Sequence, residues 1–345
     1  MLRLKKLRFS IIIPVYNVER YLGECLESIT SQDYDDYEVV IVDDGSPDGS
    51  SAIYEHYAAE ADIPVRIIKQ ENKGLLGARR AGIKVAQGDY LWHVDSDDAL
   101  APNAMQLVSD EIDRTGADLV LIGACGTSVF DKALPGMIPG NQCFYGSDDM
   151  NFIRSSFLAG AIPNIWSKIA KRSCVDVDCD YSEYGRLQFG EDQLQSLYIL
   201  DAARSCACLR EPLYYYRPND TSITAKYRKE QTAQYVAVKE ALCSQAATWD
   251  VKWPGHHFAE TALMGYLSNG FYDMRKNADA KQYGKQFQEF RNTDLYKKAV
   301  AKYISTLRLE QRVFYLLLER NLDALAYWWL LVCRGITPLF RAVSK

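Results

Sequence analysis

Residues 38–50 read EVVIVDDGSPDGS, an apolar run that ends in a string of turn-forming residues. A nearly continuous apolar run is typical of a strand that is buried on both faces of a parallel sheet. The Asp, Gly, Ser and Pro residues that follow favour a turn and then a helix, predicted from about Ser50 to Ala61. A short strand is predicted next at Val65–Lys69, so this stretch predicts a strand–helix–strand unit.

The same alternation precedes this stretch. Residues 9–17, FSIIIPVYN, predict a buried strand that stops at proline, because proline cannot donate a hydrogen bond to a central ladder. Apolar side chains at helical spacing then predict a helix through Tyr21, Leu22, Cys25, Leu26 and Ile29. This order indicates a doubly wound, mostly parallel α/β sheet, whose ligands bind at the carboxyl ends of the strands.

A third polar turn is strongly acidic. Residues 95–98 read DSDD, after the apolar Tyr90–Trp92 and before a predicted helix at Asn103–Ile112. Three carboxylates in four residues repel one another unless a cation lies between them, and Mg²⁺ or Mn²⁺ would bridge them to substrate phosphates. Alone, the cluster could be a solvated turn. Together with the strand-end turns Pro14–Asn17 and Asp43–Ser46, it predicts a ligand site at one edge of the sheet.

Four blocks of sequence carry a family resemblance: SIIIPVYNVERYLGECLESI, YEVVIVDDGSPDGS, QENKGLLGARRAGIKVAQGDYLWHVDSDD and FGEDQLQ. Through them, residues 8–225 resemble family 2 glycosyltransferases of the GT-A fold. The resemblance implies inverting transfer of a sugar from a nucleotide-diphosphate sugar, expected to be a UDP-sugar, with Mn²⁺ or Mg²⁺ as the cofactor.

The resemblance also assigns the donor side. It implies a base slot lined by Pro14, Val15 and Tyr16 with Asn17 beside it, and an acceptor for the base N–H at Asp44 with Asp43 adjacent. No glycine-rich phosphate loop is present, so the metal and basic side chains must meet the diphosphate charge. The implied residues are Asn72, Lys73, Arg79, Asp95, Ser96 and Asp97, with the metal on Asp95 and Asp97. The alternative for Arg79 is a solvated helix face.

The implied chemistry needs a base that takes the proton of the acceptor hydroxyl. The resemblance assigns that role to Asp192, with Glu191 binding the acceptor or orienting Asp192. A diphosphate leaving group on a metal needs no protein acid. The alternative is that both acidic residues only complement the N-terminus of a helix predicted at Asp192–Leu200.

Two further stretches resemble the family less closely. NIWSKIAKR, residues 164–172, is similar to a segment in which Trp166 and Lys168 would border the acceptor, although Ser167 and Ala170 replace commoner residues. YYYR, residues 214–217, is similar to a segment that ends the catalytic domain and closes over the diphosphate. Arg217 would be its charge partner there, and a purely structural strand and turn is the alternative.

Beyond residue 228 the apolar spacing turns helical, so we expect a catalytic domain at 1–225 and a helical region at 226–345. Ala324–Cys333 is an apolar, aromatic run that is too short to span a bilayer. From residue 279 onward, 12 Lys or Arg against 6 Asp or Glu give a net charge of +6. These features suit a helix on an anionic membrane surface. Docking on the protein's own core or on a second subunit is the alternative.

Composition excludes some classes of function and indicates the cell compartment. The net charge of -5 argues against general nucleic-acid binding. Nine cysteines, and no apolar signal segment before the first strand, predict a cytoplasmic protein. The basic, aromatic segment near the C-terminus adds the inner face of the plasma membrane as a place of peripheral contact. We therefore expect transfer to a glycan acceptor, lipid-linked, in bacterial surface-polysaccharide synthesis. The alternatives are a sugar-nucleotide nucleotidyltransferase and a catalytically inactive scaffold subunit.

Overall fold

The computed structural model describes residues 7–218, 229–249, 251, 267–268, 270–272, 274–276 and 280–343. The chain divides into two compact units. The first, which we call the sheet unit, comprises Met1–Ala225 and Ser244–Lys252, and the second, the helical unit, comprises Lys226–Cys243 and Trp253–Lys345. The boundary expected at residue 225, and Asn219–Ile223 after the YYYR segment, lie outside the described residues.

Within the described residues, nine strands form one sheet in the sheet unit. In chain order they are β1 Phe9–Val15, β2 Tyr37–Asp43, β3 Val65–Lys69, β4 Tyr90–His93, β5 Ala99–Leu100, β6 Leu119–Cys125, β7 Phe144–Tyr145, β8 Lys168–Lys171 and β9 Cys206–Tyr215. The order across the sheet is β3-β2-β1-β4-β8-β6-β9-β5, and β7 pairs with β9.

The part of the sheet that carries the polar turns is parallel. Strands β3, β2, β1 and β4 pair in parallel, as the strand–helix alternation predicts. Strand β8 is antiparallel to both of its neighbours, β4 and β6, so the sheet becomes mixed beyond β4. The predicted α/β architecture is confirmed, and the carboxyl ends of β2, β1 and β4 lie side by side.

Six helices of the sheet unit connect or cover these strands: α1 Glu19–Thr30, α2 Ser50–Glu60, α3 Gly74–Val85, α4 Ala104–Thr115, α5 Met150–Leu158 and α6 Glu191–Ala202. Helix α1 buries Leu22, Cys25, Leu26 and Ile29, which are the side chains at helical spacing in the sequence. These side chains join those of β1, β2 and β4 in the main hydrophobic core of the sheet unit.

Strand β1 does not stop at its proline. It continues to Val15, and Pro14 lies opposite Val42 of β2. The ladder between β1 and β4 ends at Ile12, so the proline lies where β1 no longer pairs with β4. The missing N–H of Pro14 therefore does not interrupt that ladder, and the strand delivers Val15 and Tyr16 to the sheet edge.

Helix α7, Lys229–Thr248, is followed by four described helices of the helical unit: α8 Tyr283–Arg291, α9 Asp294–Tyr303, α10 Leu309–Glu319 and α11 Asp323–Val343. Helix α11 buries Ala326, Leu330 and Cys333 in the core of this unit. The Trp329 indole N–H donates to the Glu310 carbonyl over 2.8 Å. One face of the apolar tail therefore docks on the protein's own core, which was one of the two interpretations of this segment.

The opposite face of this segment is exposed. It carries Leu322, Leu325, Trp328 and Leu331, and Trp328 is 67% exposed. The side chain of Arg341 and all of Lys345 lie outside the described residues. Among the helices of the described part of the chain, none is long and apolar enough to cross a membrane.

Candidate active site

Three turns at the carboxyl ends of β1, β2 and β4 build one polar edge, and hydrogen bonds join the first two. The Asn17 amide donates to Ser46 Oγ over 2.8 Å, and the Asp44 amide donates to the Val15 carbonyl over 2.9 Å. Asn17 takes a positive φ of 53°, a left-handed conformation that asparagine tolerates better than most residues. Tyr16, just before it, is exposed.

Asp43, the last residue of β2, and Asp44 after it form hydrogen bonds within this polar edge. Asp44 is buried, and its carboxylate accepts from the amides of Lys73 and Gly74, each over 2.8 Å, and from the Gln70 side chain. Asp43 is buried too and accepts from the Tyr54 hydroxyl and the Ser46 amide. Both carboxylates therefore hold neighbouring turns in place, and contact of Asp44 with a base stays a prediction.

Arg79 joins the acidic turn to the predicted base. It is fully buried on α3, and its guanidinium donates to Asp95 Oδ1 over 2.7 Å and also to Asp192 Oδ1. The alternative of a solvated helix face is therefore wrong. Burial lowers the pKa of Arg79, but the Asp192 and Asp95 carboxylates outweigh burial and raise it. A permanently charged guanidinium thus lies between these two carboxylates.

The acidic turn is crowded with negative charge. Burial, and to a lesser degree Asp95 and Asp97, raise the pKa of Asp98 to about 8. Its carboxylate accepts from the Tyr214 hydroxyl over 2.7 Å and from the Arg217 amide over 2.8 Å. Burial also raises the pKa of Asp95, despite Arg79. Burial, with like charges adding to it, therefore opposes ionisation of Asp95 and Asp98, and a bound cation would favour their charged forms.

Two of these carboxylates fit a divalent ion that shares its ligands with a substrate. Among the described residues, no group of three or more His, Cys, Asp or Glu side chains could hold a metal alone. Mg²⁺ is commonly held by one or two carboxylates together with water and substrate phosphates. Asp95 and Asp97 carry carboxylate oxygens of the kind that such an ion needs, and Asp95 Oδ1 also accepts from Arg79, so a metal on these two residues stays a prediction.

The predicted base lies in the first turn of α6, which follows Gly190 at a φ of 83°. Asp192 Oδ2 accepts from the Ile165 amide over 3.2 Å, while Oδ1 faces Arg79. Burial, and then Asp192, raise the pKa of Glu191 to about 8. The Asp192 carboxylate thus has partners on α3 and in the segment before β8, which complementing a helix N-terminus does not require.

Trp166 and Lys168, predicted to border the acceptor, are both buried. The Lys168 ammonium donates to the carbonyls of Ile162 and Asn164, over 2.7 and 2.5 Å. Burial lowers the pKa of Lys168 to about 7. Lys168 therefore supports the segment before β8 from inside, and direct contact with a substrate would require that segment to move.

Two further predicted residues have partners within the sheet unit. The Arg217 side chain lies 2.7 Å from Glu24 of α1, donates to the Asp97 carbonyl and covers the Tyr21 ring. Asn72 accepts from the Arg186 guanidinium. Sequence reasoning missed Glu24, to which the resemblance of the first block assigns no role, and Arg186, which lies outside the four blocks. Val15 and Ser96 are buried in the strand-end turns.

Comparisons with known proteins agree with this geometry. Residues 10–142 match the family model described as Glycosyl transferase family 2. The chain is 33% identical over 234 residues to the putative glycosyltransferase EpsH of Bacillus subtilis (strain 168). This match covers 67% of each chain. It is 32% identical to the uncharacterized glycosyltransferase EpsJ of the same organism, over 62% of each chain.

A solved structure shows the fold. The crystal structure of Staphylococcus aureus TarS residues 1–349 in complex with UDP-GlcNAc superposes with a TM-score of 0.59 at 19% identity. The match covers 95% of this chain and 92% of that one. In sequence, TarS, a poly(ribitol-phosphate) beta-N-acetylglucosaminyltransferase, is 28% identical over 213 residues, 61% of this chain and 35% of TarS.

Proposed function

Because this chain belongs to glycosyl transferase family 2, we propose that it is an inverting enzyme that transfers a sugar from a UDP-sugar to a hydroxyl of a glycan acceptor. The observation that carries the proposal is the position of Arg79, which donates to Asp95 and to Asp192 at once. A turn suited to a metal and a carboxylate suited to general base chemistry therefore lie within the reach of one guanidinium.

The donor side is proposed to be the edge formed by the turns after β1 and β2. Support for UDP comes from TarS, which has been solved with UDP and with UDP-GlcNAc and has the same fold. The exposed Tyr16 ring and the backbone around Asn17 would receive the base, and Asp44 would accept its N–H. Asn72, Lys73 and Arg217 are proposed to lie along the diphosphate.

The metal is proposed to be Mn²⁺ or Mg²⁺ held by Asp95 and Asp97, with Ser96 between them. When bound, such an ion neutralises the charge that develops on the departing diphosphate. The three carboxyl groups within residues 95–98 support the assignment, since burial and like charges raise the pKa of both Asp95 and Asp98 and a cation between them would favour their ionised forms.

The protein's own contribution to the transfer is proposed to come from α6. The acceptor hydroxyl gives its proton to Asp192, and its oxygen forms a bond to the anomeric carbon. The bond from that carbon to the diphosphate breaks on the opposite face, and its electron pair leaves with the nucleotide. Arg79 would keep Asp192 oriented through its ion pair, and Glu191 would bind or position the acceptor.

The biological setting is proposed from the relatives and from α11. Relatives named for teichoic acid synthesis or glycosyl transfer support a role in bacterial surface-polysaccharide synthesis. Residues 1–225 would form the catalytic domain and residues 226–345 a helical region. The exposed face with Leu325, Trp328 and Leu331, on a basic segment, supports contact with an anionic membrane that presents a lipid-linked acceptor.

A screen for ligand-dependent stabilisation tests the proposal. UDP-sugars are added singly, with and without Mn²⁺, and the melting temperature of the protein is recorded. A bound donor stabilises the folded state by an amount that grows with the logarithm of its concentration over Kd, so at least one UDP-sugar should raise the melting temperature, and more so with Mn²⁺. Failure of UDP and of every UDP-sugar to stabilise the protein would reject the donor assignment.

A further inference from the structure

Three aromatic rings lie together at the end of β9. The Trp166 ring stacks on Tyr214, with centroids 4.2 Å apart and planes 8° apart, and it also stacks with Tyr216 at 5.9 Å. Trp166 is 2% exposed and Tyr214 is fully buried, whereas Tyr216 is 42% exposed. The set therefore runs from the interior to the surface and presents the ring of Tyr216 to solvent.

The structure holds these rings firmly next to the acidic turn. The Tyr214 hydroxyl donates to Asp98 Oδ2 over 2.7 Å and accepts from the Asp95 amide over 3.1 Å. The Tyr216 amide donates to the Cys125 carbonyl of β6 over 2.9 Å. An aromatic side chain with a fixed backbone and a packed neighbour loses little conformational freedom when it binds a ligand.

The exposed ring lies close to the predicted chemistry. Tyr216 stacks with Trp166, which stacks on Tyr214, and the Tyr214 hydroxyl donates to Asp98 of the acidic turn. The turns that are proposed to receive the nucleotide follow β1 and β2, on one side of β4 in the sheet. Tyr216 follows β9, which lies on the other side of β4. Strands β4 and β6 are both antiparallel to β8, and β9 runs parallel to β6, so Tyr216 lies beyond the same edge of the sheet as the acidic turn. An acceptor that approached Asp192 from the β9 side would meet this ring.

The chemistry of an exposed aromatic ring suits a sugar. The face of the ring carries the negative part of its quadrupole. One face of a pyranose presents a set of C–H groups with partial positive charge, while its hydroxyls point outward from the rim. Stacking thus removes apolar surface of both partners from water and leaves the hydroxyls free for hydrogen bonds with polar groups such as the neighbouring carboxylates.

We infer that the ring of Tyr216, supported from below by Trp166 and Tyr214, is the platform on which a sugar ring of the acceptor glycan stacks. This inference rests on the proposed function, because it assumes that the acceptor hydroxyl approaches Asp192. It makes Tyr216 a determinant of acceptor specificity, a role that the sequence did not indicate. The donor nucleotide would not touch this ring.

Ligand-detected NMR tests the inference. In the presence of saturating UDP and Mn²⁺, saturation transfer is measured from the protein to a panel of methyl glycosides of hexoses and N-acetylhexosamines. The variants are Tyr216→Ala, which removes the ring, and Tyr216→Phe, which keeps it. The matched control is Phe152→Ala, since Phe152 is a 46% exposed ring that stacks on Tyr145 at 5.4 Å.

The expected result is binding of at least one glycoside to the wild type, Tyr216→Phe and Phe152→Ala, with the strongest transfer to the C–H protons of one ring face. Tyr216→Ala should weaken it about tenfold, the order that an aromatic contact supplies. UDP affinity, measured by calorimetry, should be equal in all four proteins. Equal glycoside binding by Tyr216→Ala, or no glycoside binding by the wild type, would overturn the inference.

The UDP titration separates this inference from the proposed function. If the wild type binds no UDP, the proposed donor is wrong. If the wild type binds UDP and only Tyr216→Ala loses it, the ring belongs to the donor side, and the platform for the acceptor is refuted while the donor assignment survives.

Discussion

The buried Arg79 guanidinium and the partly buried Asp192 carboxylate form an ion pair, although 113 residues separate them in the sequence. The other end of the same guanidinium binds Asp95 over 2.7 Å. One side chain on α3 thus fixes the distance between the acidic turn after β4 and the first turn of α6. With Asp192 as the base, that distance sets the position of the base relative to the donor diphosphate.

Replacing Arg79 should destabilise the protein strongly. Arg79→Gln leaves two partly buried carboxylates without their cation, and breaking a buried ion pair typically costs about 3–5 kcal/mol. Because Asp95 and Asp192 each keep about a fifth of their side-chain surface in solvent, we expect the lower end of that range. Urea unfolding of Arg79→Gln, Asp192→Asn and the double variant measures the coupling between the two residues.

The coupling free energy in that cycle should exceed about 1 kcal/mol, as is usual for residues in contact. Arg80→Gln is the matched control, because the Arg80 guanidinium on the same helix donates to the carbonyls of Asp176 and Val177 instead. Its effect should add to that of Asp192→Asn. Additive effects for Arg79 as well would mean that the ion pair contributes nothing.

The base assignment predicts different outcomes for two neighbouring carboxylates. Asp192→Asn should lower kcat by about 10²–10⁴, the range that general base catalysis supplies, with donor affinity nearly unchanged. Glu191→Gln should act mainly on the KM for the acceptor. Steady-state kinetics with UDP titrations measures both. A larger loss of kcat in Glu191→Gln would reverse the two roles, and loss of UDP binding in Asp192→Asn would move Asp192 to the donor side.

Lys168 predicts a pH-dependent stability. Burial lowers its folded-state pKa to about 7, whereas an unfolded lysine titrates near 10.4. Between these values the unfolded state binds more protons, so the contribution of Lys168 to stability rises with pH by up to about 1.4 kcal/mol per pH unit. Lys168→Met removes this dependence.

The measurement is urea unfolding of the wild type and Lys168→Met at pH 6.5 and pH 9. The wild type should gain stability relative to Lys168→Met at the higher pH. Lys171→Met is the control, since Lys171 is partly exposed and pairs with Asp118 at 3.3 Å. If the stability difference between wild type and Lys168→Met is the same at both pH values, burial does not lower the pKa of Lys168 in the folded state.

The exposed face of α11 predicts membrane binding that can be removed without unfolding. Deletion of Asn321–Lys345 would remove the buried Ala326 and Leu330 and is therefore a poor test. The double variant Leu325→Ser and Trp328→Ser changes exposed side chains only and should abolish sedimentation with anionic vesicles, while its melting temperature stays near that of the wild type.

Leu316→Ser, at an exposed apolar residue of α10, is the control and should bind vesicles as the wild type does. Salt should weaken the binding, because each basic residue near an anionic surface contributes about 1 kcal/mol that ions screen. Equal binding to neutral vesicles would remove the electrostatic part of the proposal. A change of the variant from dimer to monomer would favour the second subunit as occupant of this face.

Local patterns predicted the framework of the site well. The apolar runs before Asn17, Asp43 and Asp95 end in turns at one edge of the sheet, because a parallel α/β alternation leaves few other arrangements. The spacing of Leu22 and Ile29 likewise gave the buried face of α1. These features depend on neighbours in the sequence, so they can be read from it.

Contacts between distant segments could not be read in this way. Nothing in the sequence around Arg79 shows that its partner is Asp192, and the burial of Lys168 depends on how the segment before β8 folds over it. Tyr214 and Tyr216 differ in exposure because the first lies within β9 and the second just beyond its end. Such properties follow from tertiary packing rather than from residue type.

Calorimetric titration of UDP into the wild type and Asp97→Asn, each with and without Mn²⁺, decides whether the acidic turn holds a metal for the donor. If Asp95 and Asp97 hold the metal against the donor diphosphate, Mn²⁺ should tighten UDP binding to the wild type at least tenfold, and Asp97→Asn should abolish that gain while its melting temperature stays near the wild-type value. UDP affinity that is identical with Mn²⁺ and with a chelator, in the wild type, would refute the metal-assisted transfer proposed for this site.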